Sequence, residues 1–338
     1  MKRTFLNYLI IAAVVVSAGF MSCKKDSNSK IDVYVVGGES DIIGQTAYVA
    51  KLWKNGVVQN IFDDGIYYVY SVYVSTGNVY VAGDGGSSPN GWGIAALWKN
   101  GVQQNLSDGT CNAVAFSVFV SDDNVYVAGF DNEVAVIWKN GVAQNLTDGT
   151  YFSLAYSVYV SSNDVYAAGY EYNGQTYVAK FWKNGVAQNL TDGTYDADAL
   201  SIYVFDGNVY VAGHEYTEQG ISVAKLWKNG VVQNLTDGTH NAFANSVYVS
   251  GNNVYVAGSE RNVAKLWKNG VAQNLSNGTH SARANSVYVL RGDVYVAGYE
   301  FGQEALVAKL WKNGKAQNLS DGTYWAGATS VFVVESTD

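Results

Sequence analysis

One short pattern, an aliphatic residue or Phe followed by Trp-Lys-Asn-Gly, recurs seven times along the 338 residues, with its Trp at 53, 98, 138, 182, 227, 267 and 311. The intervals are 45, 40, 44, 45, 40 and 44 residues. A fixed period of this length signals a repeat architecture, in which each unit buries its apolar surface only against its neighbours. One unit, residues 246–279, divides into four short apolar runs: Ser246–Val249, Val254–Gly258, Val263–Trp267 and Val271–Leu275. We name these strands a, b, c and d.

Four strands per unit and seven units predict an all-β fold, a seven-bladed β-propeller of four-stranded antiparallel blades. Strands a and b carry successive apolar residues, the pattern expected of a sheet covered on both faces. Lys, Gln and Asn enter only in c and d, toward the rim. The Asn-Gly of each Lys-Asn-Gly suits a type I′ turn between c and d, which requires two residues at positive φ. Gly77-Asn78, Gly207-Asn208 and Gly292-Asp293 supply the turn between a and b.

The ends predict how the ring closes. The repeat region opens on a strand b (Asp32–Gly37) and finishes on an extra strand a (Ser330–Val334). The seventh sheet is therefore complete when the C-terminal strand joins the N-terminal three. The terminal repeats are no more polar than the middle ones, whereas an open solenoid needs polar caps. The order of strands, with Trp on the third and Gly ending the second, resembles that of WD40 propellers, and Gly after an apolar strand resembles kelch repeats. The Trp-Asp dipeptide and the Gly-His pair of WD40 units are missing.

Lys2 and Arg3, an apolar run from Phe5 to Phe20, and Ser22 directly before Cys23 resemble a bacterial lipoprotein signal peptide, departing from the usual pattern at Phe20 and Met21. The resemblance implies that residues 1–22 are removed and that Cys23 carries lipid. Residues 23–31 then form the lipidated Cys with a polar tether, and 32–338 the propeller. The expected location is the bacterial cell envelope, with the lipid anchor as the membrane contact. Cys111 has no partner for a structural disulfide. Without Lys2 and Arg3 the chain holds 19 basic against 29 acidic residues, which argues against nucleic acid as a partner.

The face carrying the a–b and c–d turns is monotonous, with seven copies of Lys-Asn-Gly, and its lysines read as solubilising turn residues. The opposite face, of b–c and d–a loops, differs from repeat to repeat, as binding surfaces on a constant scaffold do. Its acidic residues include Glu39, Asp41, Glu171, Glu215, Glu218, Glu260, Glu300 and Glu304, read as loop residues. The d–a loops follow (Asp/Asn)-Gly-Thr-X, where X is Cys111, Tyr151, Tyr195, His240, His280 or Tyr324. Ala-x-Ala-like segments follow, with Leu154, Asp198, Phe243, Arg283 and Gly327 in the middle. Aromatic planes beside amides and charges suit a sugar or a peptide. The candidate ligand residues are Tyr151, Tyr195, Asp198, His240, Asn245, His280, Arg283, Asn285, Tyr324 and Trp325.

The seven Trp read as core packing. Catalytic signatures are absent from the sequence: it has no His-Glu-x-x-His, Gly-x-Ser-x-Gly or Cys-x-x-Cys. His240 and His280, even with Asp196 or Asp198, do not specify three metal ligands. The expectation is a non-catalytic binding or scaffold propeller with a protein or glycan ligand and no cofactor. The alternative is a polysaccharide-acting enzyme, glycosidase or lyase, whose paired carboxylates would lie in the central funnel.

Overall fold

A computed structural model describes residues 29–40, 48–62 and 67–337. The signal segment, Cys23 and Asp41 lie outside the described residues. The described chain is all β, without helix, arranged as seven four-stranded antiparallel sheets. Blade 1 combines strand a from the C-terminus (Ala326–Thr337) with b (Ser29–Ser40), c (Tyr48–Lys54) and d (Val57–Gln59). Blades 2 to 7 follow as residues 68–105, 113–145, 153–189, 197–234, 242–274 and 282–318. Closure is as expected, and the closing strands are longer than the sequence suggested: Ser29 pairs with Thr337 and Glu39 with Ala326. Ser29, Lys30 and Ile31, assigned above to the tether, are thus part of the sheet.

The core consists of seven clusters, each between two blades. A typical one joins Tyr210, Ala212, Ala224 and Leu226 of blade 5 to Ala242, Ala244, Val247, Val249, Val256 and Trp267 of blade 6. The same arrangement joins blade 7 to blade 1, through Tyr295, Ala297 and Leu310 against Trp53, Val331 and Val333. The seven Trp of the repeat motif are at most 2% exposed. The indole N–H groups of Trp53, Trp138, Trp182 and Trp311 are buried without a hydrogen-bond partner, so these residues serve for apolar volume.

Strand a differs from the sequence expectation. It alternates buried and half-buried positions, because its second face looks into the central channel. In every blade it also carries a bulge, at Tyr70, Phe116, Tyr156, Leu200, Asn245, Asn285 and Thr329. The bulge pushes the strand a carbonyl toward strand b and explains the Gly of Val-Tyr-Val-Ala-Gly. A Cβ on Gly213 would stand 1.9 Å from the Asp198 carbonyl oxygen, and one on Gly258 would stand 1.9 Å from that of Phe243.

The residue after each bulge is Ser, and it links the blades. Its Oγ accepts the backbone N–H of the next blade's strand a at 3.1–3.3 Å: Ser71 from Val118, Ser117 from Val158, Ser157 from Ile202, Ser201 from Val247, Ser246 from Val287, Ser286 from Val331, and Ser330 from Val72. Two residues further on, Tyr73, Phe119, Tyr159, Tyr203, Tyr248, Tyr288 and Phe332 form a closed ring of aromatic side chains. Neighbouring centroids are 4.5–4.9 Å apart, with planes 46–54° apart, close to one-seventh of a turn. This ring lines the floor of the channel.

Candidate functional site at the mouth of the channel

The other end of the channel opens on the b–c and d–a face. Its wall is built from two residues per blade, directly paired across strands a and b. Around the ring these pairs are Gly327 with Gly38, Tyr68 with Asp84, Val114 with Phe130, Leu154 with Tyr170, Asp198 with His214, Phe243 with Ser259, and Arg283 with Tyr299. The backbone repeats while the chemistry changes at every step. The bulge residues below them follow suit, from Tyr70 and Phe116 to Asn245 and Asn285.

Blades 4 to 7 bring a polar network together. Asp198 and His214 meet through Oδ2 and Nε2 at 3.2 Å. His214 is 4% exposed, packs edge-on against Phe243 at 4.8 Å, and has a buried Nδ1 without a partner. The Arg283 guanidinium lies 5.3 Å from the centre of the Phe243 ring and donates to Asn245 Oδ1 at 2.8 Å, and the Asn245 amide donates to the Ala284 carbonyl. The Arg283 Nε–H is buried and unpartnered.

Burial dominates the electrostatics here. It raises the Asp198 carboxyl to about 6, with the Asp196 charge adding to the effect. It lowers His214 to about 4, and the positive Arg283 acts in the same direction. Burial also pushes the Tyr156 phenol well above its usual range; the Asp198 charge adds to this and Arg283 opposes it. Side chains from blades 4, 5 and 7 thus sense one another across one cavity mouth.

The sequence-predicted residues divide into two groups. Asp198, Asn245, Arg283 and Asn285 come together at the mouth. Tyr151, Tyr195, His240, His280, Tyr324 and Trp325 sit further out, in the d–a loops. Tyr151, Tyr195, Tyr324 and Trp325 are 36–44% exposed. Several rest against a neighbouring b–c hairpin: Tyr151 on Tyr172 at 6.1 Å and His240 against Arg261, each in the following blade, and Trp325 on Phe301 of the preceding blade at 6.0 Å. The Asp of each Asp-Gly-Thr is occupied locally, as where Asp237 Oδ1 accepts the Thr239 N–H and hydroxyl.

One expectation is corrected. Glu39, Glu171, Glu215, Glu260 and Glu300 are not free loop anions. They lie in strand b and pair with Lys51, Lys180, Lys225, Lys265 and Lys309 of strand c. Glu218 and Glu304 remain in exposed loops. The strand b half of the mouth, His214, Tyr170 and Tyr299 above all, escaped sequence reasoning. The residue after each Val-Tyr-Val-Ala-Gly varies from blade to blade, and that variation was the available signal.

The turn face is built the same way in every blade. In all seven Lys-Asn-Gly copies the Lys ammonium lies 5.1–5.5 Å from the ring centre of a strand b Tyr. The Asn, at φ between 50° and 53°, accepts a strand b N–H at 2.8 Å through its side chain.

No protein-family model matches the chain, and no curated protein matches it in sequence. Among solved structures, hydrazine synthase of Kuenenia stuttgartiensis is similar at 10% identity and a TM-score of 0.52, over 92% of this chain and 48% of that one. A puromycin-hydrolysing peptidase of Mycobacterium tuberculosis is similar at 10% identity and a TM-score of 0.51, over 76% of this chain and 47% of that one. The chain spans about half the length of each. These likenesses show the β-propeller fold.

Proposed function

We propose that the chain is a non-catalytic binding propeller of the bacterial cell envelope, anchored by lipid on Cys23, whose protein or glycan ligand sits on the channel mouth. One observation carries the binding reading. Seven cross-strand pairs on a repeating backbone each have a different composition at the mouth, while the floor of the same channel holds only Tyr and Phe. A scaffold that needed only to close would have no use for a buried His214 beside half-buried Asp198 and Arg283, where each unpartnered polar atom costs about 1–3 kcal/mol. Arg283 and Asp198 contact the ligand, Asn245 and Asn285 hold the wall, and Tyr195, Tyr324 and Trp325 offer outer stacking surfaces.

The test is capture of a partner from an envelope extract with residues 24–338, followed by titration of variants. Arg283→Ala and Asp198→Ala should each weaken binding about ten- to a hundred-fold, in the range of interface hot spots. Binding lost on Lys139→Ala and Lys228→Ala, but kept in the mouth variants, would move the site to the turn face. The anchor is tested separately. Cys23→Ala should shift the protein from the membrane to the soluble fraction, and its retention in membranes would refute the lipoprotein reading.

A further inference from the structure

Blade 1 interrupts the wall of the mouth. Where the other blades present side chains such as Leu154, Phe243 and Arg283, or Tyr170, His214 and Tyr299, blade 1 presents the facing glycines Gly327 and Gly38. The missing side chains leave a pocket of about 200 Å³, bounded by Tyr68 and Tyr70 of blade 2, Tyr299 and Asn285 of blade 7, and Thr329 of blade 1.

We propose that this pocket takes one aromatic side chain of a protein or peptide partner, with a carboxylate beside it held by Arg283. The inference rests on the reading of the mouth as the binding end and names what is bound there. Size comes first. At about 30 Å³ of liquid volume per water, the pocket holds roughly six or seven waters, enough for one ring and too little for most whole metabolites.

Wall chemistry comes next. The Asn285 amide already donates to the Ala328 carbonyl at 2.9 Å, and the Thr329 hydroxyl faces the Val36 and Val69 carbonyls at 3.1 and 2.9 Å. The remaining wall is mostly apolar. A buried sugar would lose water from several hydroxyls and regain few partners, whereas an aromatic ring asks for none. Arg283 then supplies the charge. It is paired in register with Tyr299, and its guanidinium, which rests over Phe243 and spends one N–H on Asn245 Oδ1, has further N–H donors to offer a carboxylate at the mouth.

The probe is N-acetyl-L-phenylalanine, which carries both ring and carboxylate. It is compared with its amide, with N-acetyl-L-alanine and with methyl glucoside, by ligand-detected NMR titration of residues 24–338. The acid should bind with Kd of about 1 mM, typical of a ligand this small. Its amide should bind about five- to tenfold more weakly, and N-acetylalanine and the glucoside not measurably.

Gly327→Phe should abolish binding and Gly327→Ala weaken it partly. Both should fold, since Phe243 occupies the equivalent place in blade 6 and a Cβ on Gly327 would meet only Tyr299, at 3.7 Å. Arg283→Ala should bring the acid down to the level of the amide. Equal binding by wild type and Gly327→Phe, tighter binding of methyl glucoside, or no binding of the acid at about ten times that concentration would each overturn the proposal. If the pocket variants change nothing while Arg283→Ala still weakens a captured envelope partner, the pocket inference fails and the mouth reading stands. If neither set matters, both fail.

Discussion

The floor and the mouth of the channel are built by the same strands only a few residues apart, yet they answer to different constraints. At the floor each aromatic ring touches the equivalent ring of the next blade, so the seven positions must suit one another and all are Tyr or Phe. Burial, with the neighbouring phenols adding to it, pushes the Tyr203 and Tyr288 hydroxyls far above their ordinary ionisation, so the floor stays neutral. At the mouth each blade offers its own pair, and neighbours as unlike as Phe243 and Arg283 are accommodated. Closure makes the repeats alike at one end of a strand and leaves them free to differ at the other.

The bulge separates these two regimes, and removing the room it needs should give the largest effect. Gly213→Ala places a Cβ 1.9 Å from the Asp198 carbonyl oxygen, a backbone atom that cannot rotate away. Either the bulge flattens, disturbing the Ser201 Oγ link to Val247, or strand b separates from strand a. A loss of about 3–5 kcal/mol is expected, as for other enforced backbone strain. Urea unfolding measures it. A variant within about 1 kcal/mol of wild type would mean that the bulge does not hold floor and mouth apart.

A smaller effect distinguishes the two ends by pH. Burial raises Asp198 from 3.8 to about 6, so between those values the folded protein keeps a proton that the unfolded chain has released, and this group alone makes stability fall as pH rises. Burial lowers His214 from 6.5 to about 4, so over that window the unfolded chain holds the extra proton, and this group makes stability rise with pH. In the wild type the slopes oppose each other between about pH 4 and 6 and stability stays nearly flat. Asp198→Asn should uncover the histidine slope, a gain of about 1–3 kcal/mol from pH 4 to 6.5. His214→Gln should uncover the opposite one. Tyr203→Phe, at the floor, should change neither slope. Denaturant midpoints across this range decide it, and parallel profiles for all three variants would contradict the assignment.

The same two regions show what a sequence of this kind displays. The seven Trp, the Asn-Gly turns and the closing strand announce themselves by period and by backbone demands that only certain residues meet. The bulge does not. Its residue ranges from Leu200 to Asn245, so the reason for the following Ser and for the strand b Gly stays hidden until the strands are paired. Reading that Gly as the end of strand b has two consequences with one cause. It puts Glu171, Glu215, Glu260 and Glu300 in loops although they lie in the sheet beside lysines, and it passes over His214, Tyr170 and Tyr299 although they form part of the mouth. Asp198, Asn245, Arg283 and Asn285 were legible because strand a changes there against an otherwise constant background.

The smallest expected effect concerns the turn face, where the constant Lys of Lys-Asn-Gly lies over a Tyr ring in every blade. Some copies add a carboxylate: Lys312 pairs with Asp293 at 2.9 Å and Lys54 with Asp32 at 2.8 Å. At the corresponding turn positions of blades 2 and 3, Asn78 and Asn124 replace the Asp. Asn100 and Asn140 bond to these amides at 2.9 Å, so the turn is held without charge. Lys139, 5.3 Å from the Tyr126 ring centre, therefore reports the ring contact itself. Lys139→Ala should cost about 0.5–1 kcal/mol, the usual worth of an exposed cation over an aromatic face, and should leave ligand binding unchanged. Lys139→Arg should restore the stability, since a guanidinium stacks on the same face. Matched urea melts and one titration settle both points. If alanine weakens binding more than tenfold with stability intact, the turn face is a recognition surface too, and the division of labour between the two ends of the channel does not hold.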